Sequence, residues 1–171
     1  MAIENETKYV LADAKTLEAV LALTAGPQRI EQGYLGDRAR IRRIDERECW
    51  FTYKHRRADQ SNIEIETAID ARSFVLLWQD CPRTLHKHRF KLGHGEIAWD
   101  VDFFKSEDHG CNYFALAEAE MPEGMVAPPE IHPLLRDRIL FAVPRKDDRF
   151  RSYLLTDEAY AVALMGSLQR Q

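Results

Sequence analysis

WDVDFF, Trp99 to Phe104, sets acids at Asp100 and Asp102 between the apolar side chains of Trp99, Val101 and Phe103. Successive side chains of a strand point to opposite faces, so one face of this segment is acidic and the other apolar. The same alternation recurs along the chain. Glu4 and Glu6 share a face in IENETKYV (Ile3 to Val10), with Lys8 two positions on. Arg40 and Arg42 share one in ARIRRI, Glu64 and Glu66 in NIEIET, Lys87 and Arg89 in HKHRF, and Glu118 and Glu120 in LAEAEM. Lys54 adds a single cation in WFTYKH. The intervening residues are mostly apolar or small, among them Ile41, Ile63, Ile65, Ala117 and Ala119.

A half-buried antiparallel strand also shows water a polar face, and for any one pair that reading suffices. It fits the set poorly. Solvated faces mix signs, because like charges side by side repel and opposite ones attract. Here each pair carries one sign, and acids are poor strand formers, so repeated acid pairs on strands need a stabilising partner. Multivalent cations supply one for the carboxylates, and an anion supplies one for Arg40, Arg42, Lys54, Lys87 and Arg89. In a closed sheet every strand alternates inward and outward. With the charged faces inward, the lumen becomes a cavity for a divalent metal and a highly charged anion, phosphates above all. Mg²⁺ or Mn²⁺ suits an all-oxygen carboxylate site, and Arg and Lys suit phosphate oxygens.

The remaining segments support an α+β domain dominated by antiparallel sheet. Period-two stretches run over 28–34, 38–45, 48–55, 61–69, 85–92, 96–104 and 113–121. Asp13, Asp70 and Thr156 are each placed to cap a helix: one carrying Leu17 and Leu21, one carrying Phe74 and Trp78, and one running through Leu164. The first two helices are expected to cover the outer apolar faces of the sheet. The proline-rich stretch 122–147 reads only as loop, with a short helix around Leu134 to Leu140. The 171 residues contain no linker or repeat, so residues 1–171 are read as a single domain.

Composition narrows the partners. The chain is 45% apolar and 30% charged, with a net charge of −4, which argues against a general nucleic-acid binder. No apolar run approaches the roughly 20 residues of a membrane span. The N-terminal residues lack a basic start followed by an apolar core, and the three cysteines form no CxxC, so reduced thiols in a cytoplasmic protein are expected. His86 and His88 fall on the opposite face from Lys87 and Arg89, outside any lumen, and are not read as a metal pair.

Taken in order, these residues resemble the CYTH domain of the triphosphate tunnel metalloenzyme superfamily. ExExK stands at Glu4, Glu6 and Lys8, followed by QGYL (32–35), RIR (40–42), FTYK (51–54), EIE (64–66), KHR (87–89), WDVDFF (99–104), LAEAEMP (116–122) and DDRF (147–150). The resemblance implies an eight-stranded antiparallel barrel, closed or nearly so, with helices packed outside. It implies a metal-dependent hydrolase acting on a small-molecule triphosphate, either inorganic tripolyphosphate or a small organic one. A class IV-type adenylyl cyclase and a non-catalytic binding tunnel are the alternatives. Carried over by residue, Glu4, Glu6, Asp102, Glu118 and Glu120 would hold Mg²⁺ or Mn²⁺, and Glu64 and Glu66 would support a second metal or the attacking water. Lys8, Arg40, Arg42, Lys54, Lys87 and Arg89 would grip phosphate oxygens, joined by Arg149 or Arg151. Tyr34 would approach Lys8. The role of Asp100 and the choice between monomer and homodimer are left open.

Overall fold

Alternation along the chain becomes nine strands in one antiparallel sheet. The computed structural model describes residues 5–56 and 62–170, so Glu4 lies outside the described residues. The strands are β1 (Glu6–Leu11), β2 (Gln28–Tyr34), β3 (Ala39–Ile44), β4 (Glu48–Arg56), β5 (Asn62–Ile69), β6 (Arg83–His94), β7 (Ile97–Lys105), β8 (Asn112–Glu120) and β9 (Ile139–Val143). Their order is β5-β4-β3-β2-β6-β7-β8-β1-β9. This corrects the expected closed eight-stranded barrel. A ninth strand takes the outer edge of β1, whose other edge already pairs with β8, and no ladder joins β5 to β9 among the described residues.

The sheet is nonetheless strongly curved. Tyr34 on β2 and Lys8 on β1, four strands away in the sheet order, line the same cavity. In a flat sheet those strands would lie about 19 Å apart, at the usual spacing of about 4.8 Å.

Helices α1 (Ala14–Ala22) and α2 (Ala71–Gln79) cover the convex face, as their apolar spacing demands. Leu17 and Leu21 of α1 pack on Tyr9, Leu11, Trp99 and Phe103, and Phe74 of α2 packs on Ile41 and Cys49. Burying each such side chain contributes roughly 1.5–3 kcal/mol. Glu18 pins α1 from its polar side, accepting hydrogen bonds from Lys105 Nζ at 2.8 Å and Asn112 Nδ2 at 2.7 Å, and lying 2.7 Å from His88 Nδ1. His86 and His88 therefore face outward, as their register requires.

The helix starts depart from expectation twice. Asp70 caps α2, accepting from Ser73 N at 2.8 Å. Asp13 does not cap α1 through its side chain; its φ is +51° and its carboxylate holds Thr16 Oγ1 and Arg138 instead. In the proline-rich stretch the short helix α3 occupies only Pro133–Arg136, with His132 as its cap. The chain then enters β9 instead of continuing the helix to Leu140. The last helix, α4 (Glu158–Leu168), is capped by Asp157, which accepts from Tyr160 N at 3.0 Å. Thr156 lies in the turn before it, its hydroxyl donating to Tyr153 O.

The C-terminal segment crosses to the concave face. Arg145 donates to Asn5 Oδ1 beside β1, whereas Tyr153 stacks edge-on against Tyr34 of β2. Residues 144–153 thus form a strap over the concavity. Beyond it α4 lays Ala161, Leu164 and Leu168 on Val10, Leu85, Phe104 and Leu116, which share the faces of Lys8, Lys87, Asp102 and Glu118. The concave face is therefore apolar and filled at one end, charged and open at the other. No helix of the described residues is long and apolar enough to cross a membrane.

Candidate active site

The charged end of the concave face is a cavity of about 710 Å³. Glu6 and Lys8 of β1, Arg40 and Arg42 of β3, Lys54 of β4, and Glu64 and Glu66 of β5 line it. Lys87 and Arg89 of β6 and Glu118 and Glu120 of β8 complete the predicted set that it gathers. Alternation within these strands delivers the side chains to one space, and the simple reading of solvated outer faces is excluded.

On one wall the carboxylates are interleaved with cations. Lys8 Nζ lies 2.9 Å from Glu6 Oε1 and 2.5 Å from Glu118 Oε1. Arg89 reaches across three strands: it donates to Asp102 through Nε and Nη2, to Asp100 through Nη1, and to Glu118 through Nη2 at 3.3 Å. Lys87 Nζ donates to Asp102 Oδ2 at 2.6 Å. On the other wall Arg40 Nη2 and Lys54 Nζ each lie 3.0 Å from Glu64, and Arg42 Nη2 lies 2.7 Å from Glu66, which also accepts from Thr52 Oγ1.

Asp102, expected among the metal-holding residues, does not line the cavity, whereas Asp100, whose role the sequence leaves open, does. Asp102 is 1% exposed, and both its oxygens are taken up by Lys87 and Arg89 beneath the cavity floor. Asp100 is the one that lines the cavity. Of the two C-terminal arginines, Arg151 lines the cavity, while Arg149 forks onto Asp147 and lies over the Phe150 ring. Sequence reasoning passed over Arg38, Lys91 and Arg145, which also border the cavity. Only Lys91 carried a signal, continuing the alternation of Lys87 and Arg89.

Electrostatics follow from this burial and pairing. Burial works against the charge on Lys8, but Glu118 and Glu6 outweigh it and hold its pKa above that of an ordinary lysine. Burial likewise opposes charge on Glu118, yet Lys8, Arg89 and Lys87 depress its pKa well below the usual carboxylate range. For Lys87 burial wins, aided by the neighbouring Arg89 and only partly offset by Asp102, and its pKa falls to about 8. Glu120 moves the other way, raised by burial and by Asp100.

Two observations bear on what the cavity could hold. The Nε–H groups of Arg40 and Arg42 are buried without an acceptor, and both residues line the cavity. Buried donors are almost always satisfied, so these two are exceptions, although the nitrogens themselves are closed off and it is the Arg40, Arg42 and Lys54 side chains as a whole that give this wall its positive charge. On the other wall Glu6, Asp100, Glu118 and Glu120 offer the hard oxygen donors that suit Mg²⁺ or Mn²⁺. Among the described residues no three His, Cys, Asp or Glu side chains converge as a ready-made metal site. Lys8 and Arg89 stand between the carboxylates instead.

No protein-family model and no curated protein matches the chain. Solved structures do. The hypothetical protein NE1496 superposes with a TM-score of 0.52 at 21% identity, over 90% of this chain and 97% of that one. A "putative adenylate cyclase" from Bacillus halodurans gives a TM-score of 0.55 at 16% identity, over 71% of this chain and 81% of that one. The likeness is one of fold.

Proposed function

We propose that the chain is a metal-dependent triphosphatase of the CYTH kind, removing the terminal phosphate of tripolyphosphate or a small organic triphosphate. The observation that carries this reading is the gathering of Arg40, Arg42 and Lys54 on one wall and of Glu6, Asp100, Glu118 and Glu120 on the other around one cavity. Arg40, Arg42 and Lys54 bind phosphate oxygens from one side. Lys8, Lys87 and Arg89 bind them from the other, holding the chain of phosphates in line and balancing the charge that grows on the leaving group. Glu6, Asp100, Glu118 and Glu120 would hold Mg²⁺ or Mn²⁺, joined by Glu4, which lies outside the described residues. A bound ion supplies Lewis-acid neutralisation of the bridging phosphate oxygens. Glu64 and Glu66, oriented by Arg40, Lys54, Arg42 and Thr52, accept a proton from the attacking water. The strap and α4 close one end of the concavity and limit entry of bulk water from that side.

A second reading is favoured by the fold shared with the Bacillus halodurans protein named as an adenylate cyclase. In that chemistry the ribose 3′-hydroxyl of ATP attacks the α-phosphorus and pyrophosphate leaves. The test is a product assay with tripolyphosphate, thiamine triphosphate and ATP, each with Mg²⁺, Mn²⁺ or chelator. Metal-dependent release of phosphate is the expected result. Cyclic AMP with pyrophosphate from ATP would replace the hydrolase by the cyclase, and no product from any substrate would overturn both.

A further inference from the structure

We propose that the Lys8 ammonium is a built-in counter-ion that occupies the divalent-ion position of the cavity, so that metal must displace it. The inference rests on the metal-dependent reading above and goes beyond it, because it concerns competition inside the protein. Lys8 Nζ bridges Glu6 on its own strand and Glu118 on the neighbouring strand at 2.9 and 2.5 Å. A small divalent ion bridging the same two carboxylates needs oxygens at roughly 2.0–2.1 Å. Ammonium and metal cannot share that space.

Lys8 rather than Arg89 is the ion that moves. Arg89 is anchored to Asp102 by two hydrogen bonds from a site 10% exposed. The Lys8 side chain is 23% exposed, rotates about four methylenes and has the open cavity beside it. When metal takes the carboxylates, the freed ammonium is left facing the position of the anion. Metal and anion then assist each other: the metal releases a phosphate-binding cation, and the anion keeps that cation away from the metal site. By linkage the assistance is equal in both directions.

This arrangement has an unusual sign. Removing a cavity residue ordinarily weakens ligand binding, but here removing Lys8 tightens the metal while weakening the anion. The test is uptake of Mn²⁺ alone by the full chain, followed by the loss of the free-ion electron paramagnetic resonance signal, with no phosphate present. Lys8→Met is expected to bind Mn²⁺ at least about tenfold more tightly than the unmodified protein, from Coulomb attraction no longer opposed at short range. Lys8→Arg, which keeps the charge, should show no gain, and adding Glu118→Gln to Lys8→Met should abolish it. Lys54→Met removes the same charge from the opposite wall and should change affinity less than about threefold. Equal or weaker binding by Lys8→Met, or an equal gain from Lys54→Met, overturns the inference while leaving a metal site standing. Absence of Mn²⁺ uptake by both the unmodified protein and Lys8→Met overturns the metal reading along with it. Should Lys8→Met fail to fold by circular dichroism, Lys8→Gln carries the same expected sign.

Discussion

Asp102→Asn tests whether the buried floor of the cavity is held by charge. Asp102 accepts from Lys87 Nζ at 2.6 Å, from Arg89 Nε at 2.6 Å and from Arg89 Nη2 at 2.7 Å, with only 1% of its surface exposed. Asparagine keeps the shape and removes the charge, leaving two cations against a neutral amide. Removing one side of a buried ion pair costs about 3–5 kcal/mol. Some of that cost is relieved because Lys87 can lose its proton. Its folded-state pKa of about 8 lies below its ordinary value of 10.5, so the unfolded chain holds more protons between those limits. Lys87 therefore makes the unmodified protein more stable as pH rises through that window. Once the pH passes about 8, Lys87 of the folded protein is largely neutral and no longer calls on Asp102, so the variant loses less. Urea unfolding should give a deficit of about 4 kcal/mol at pH 6.5, shrinking by about 1–2 kcal/mol at pH 9.5. For a chain of this size the low-pH deficit corresponds to a melting point lower by about 10 °C. A deficit under about 1 kcal/mol at pH 6.5, or one that grows with pH, would refute the reasoning.

Other consequences are open to the same kind of check. With triphosphate as substrate, kcat/KM should fall above pH of about 8 as Lys87 gives up its charge, and Lys87→Arg should move that limb beyond the measured range; a profile flat to about pH 9.5 contradicts it. Glu6→Gln should lower kcat by about a hundredfold or more with the melting point little changed, because the swap keeps size and removes a ligand charge. Asp157→Ala should cost about 1 kcal/mol in thermal unfolding through loss of the α4 cap, and Thr156→Ala much less. Leu164→Ala should destabilise by roughly 2–3 kcal/mol, since it opens the apolar seal between α4 and the concave face.

The C-terminal third shows how local signals fail where tertiary contacts decide. Ile139 to Val143 has no clean alternation, because as an edge strand it packs partly on both sides, and its pairing partner is the outer edge of β1, far off in sequence. Pro133 and the His132 cap start a helix whose backbone turns out of register at Arg138, so only four residues of it survive. For α4, Thr156 and Asp157 are adjacent cap-forming residues, and local chemistry does not rank them. The preceding turn engages the threonine hydroxyl with Tyr153 O and leaves the cap to the aspartate.

The sorting of faces was legible before any folding was considered. Period two fixes which side chains of a strand lie together, and that is a property of the backbone alone. Hence Glu6 groups with Lys8, Arg40 with Arg42, Glu64 with Glu66, Lys87 with Arg89, and Glu118 with Glu120, and His86 and His88 turn outward. Depth and closure belong to the folded chain. Asp100 and Asp102 share a face and a chemistry, and they differ because Lys87 and two nitrogens of Arg89 take up both oxygens of Asp102 under the floor, whereas Asp100 holds a single Arg89 nitrogen and lines the cavity. The ninth strand, the lack of a β5–β9 ladder among the described residues, and the seating of α4 on the concave face depend on contacts between residues distant in the chain. Alternation within a single strand carries no information about those contacts.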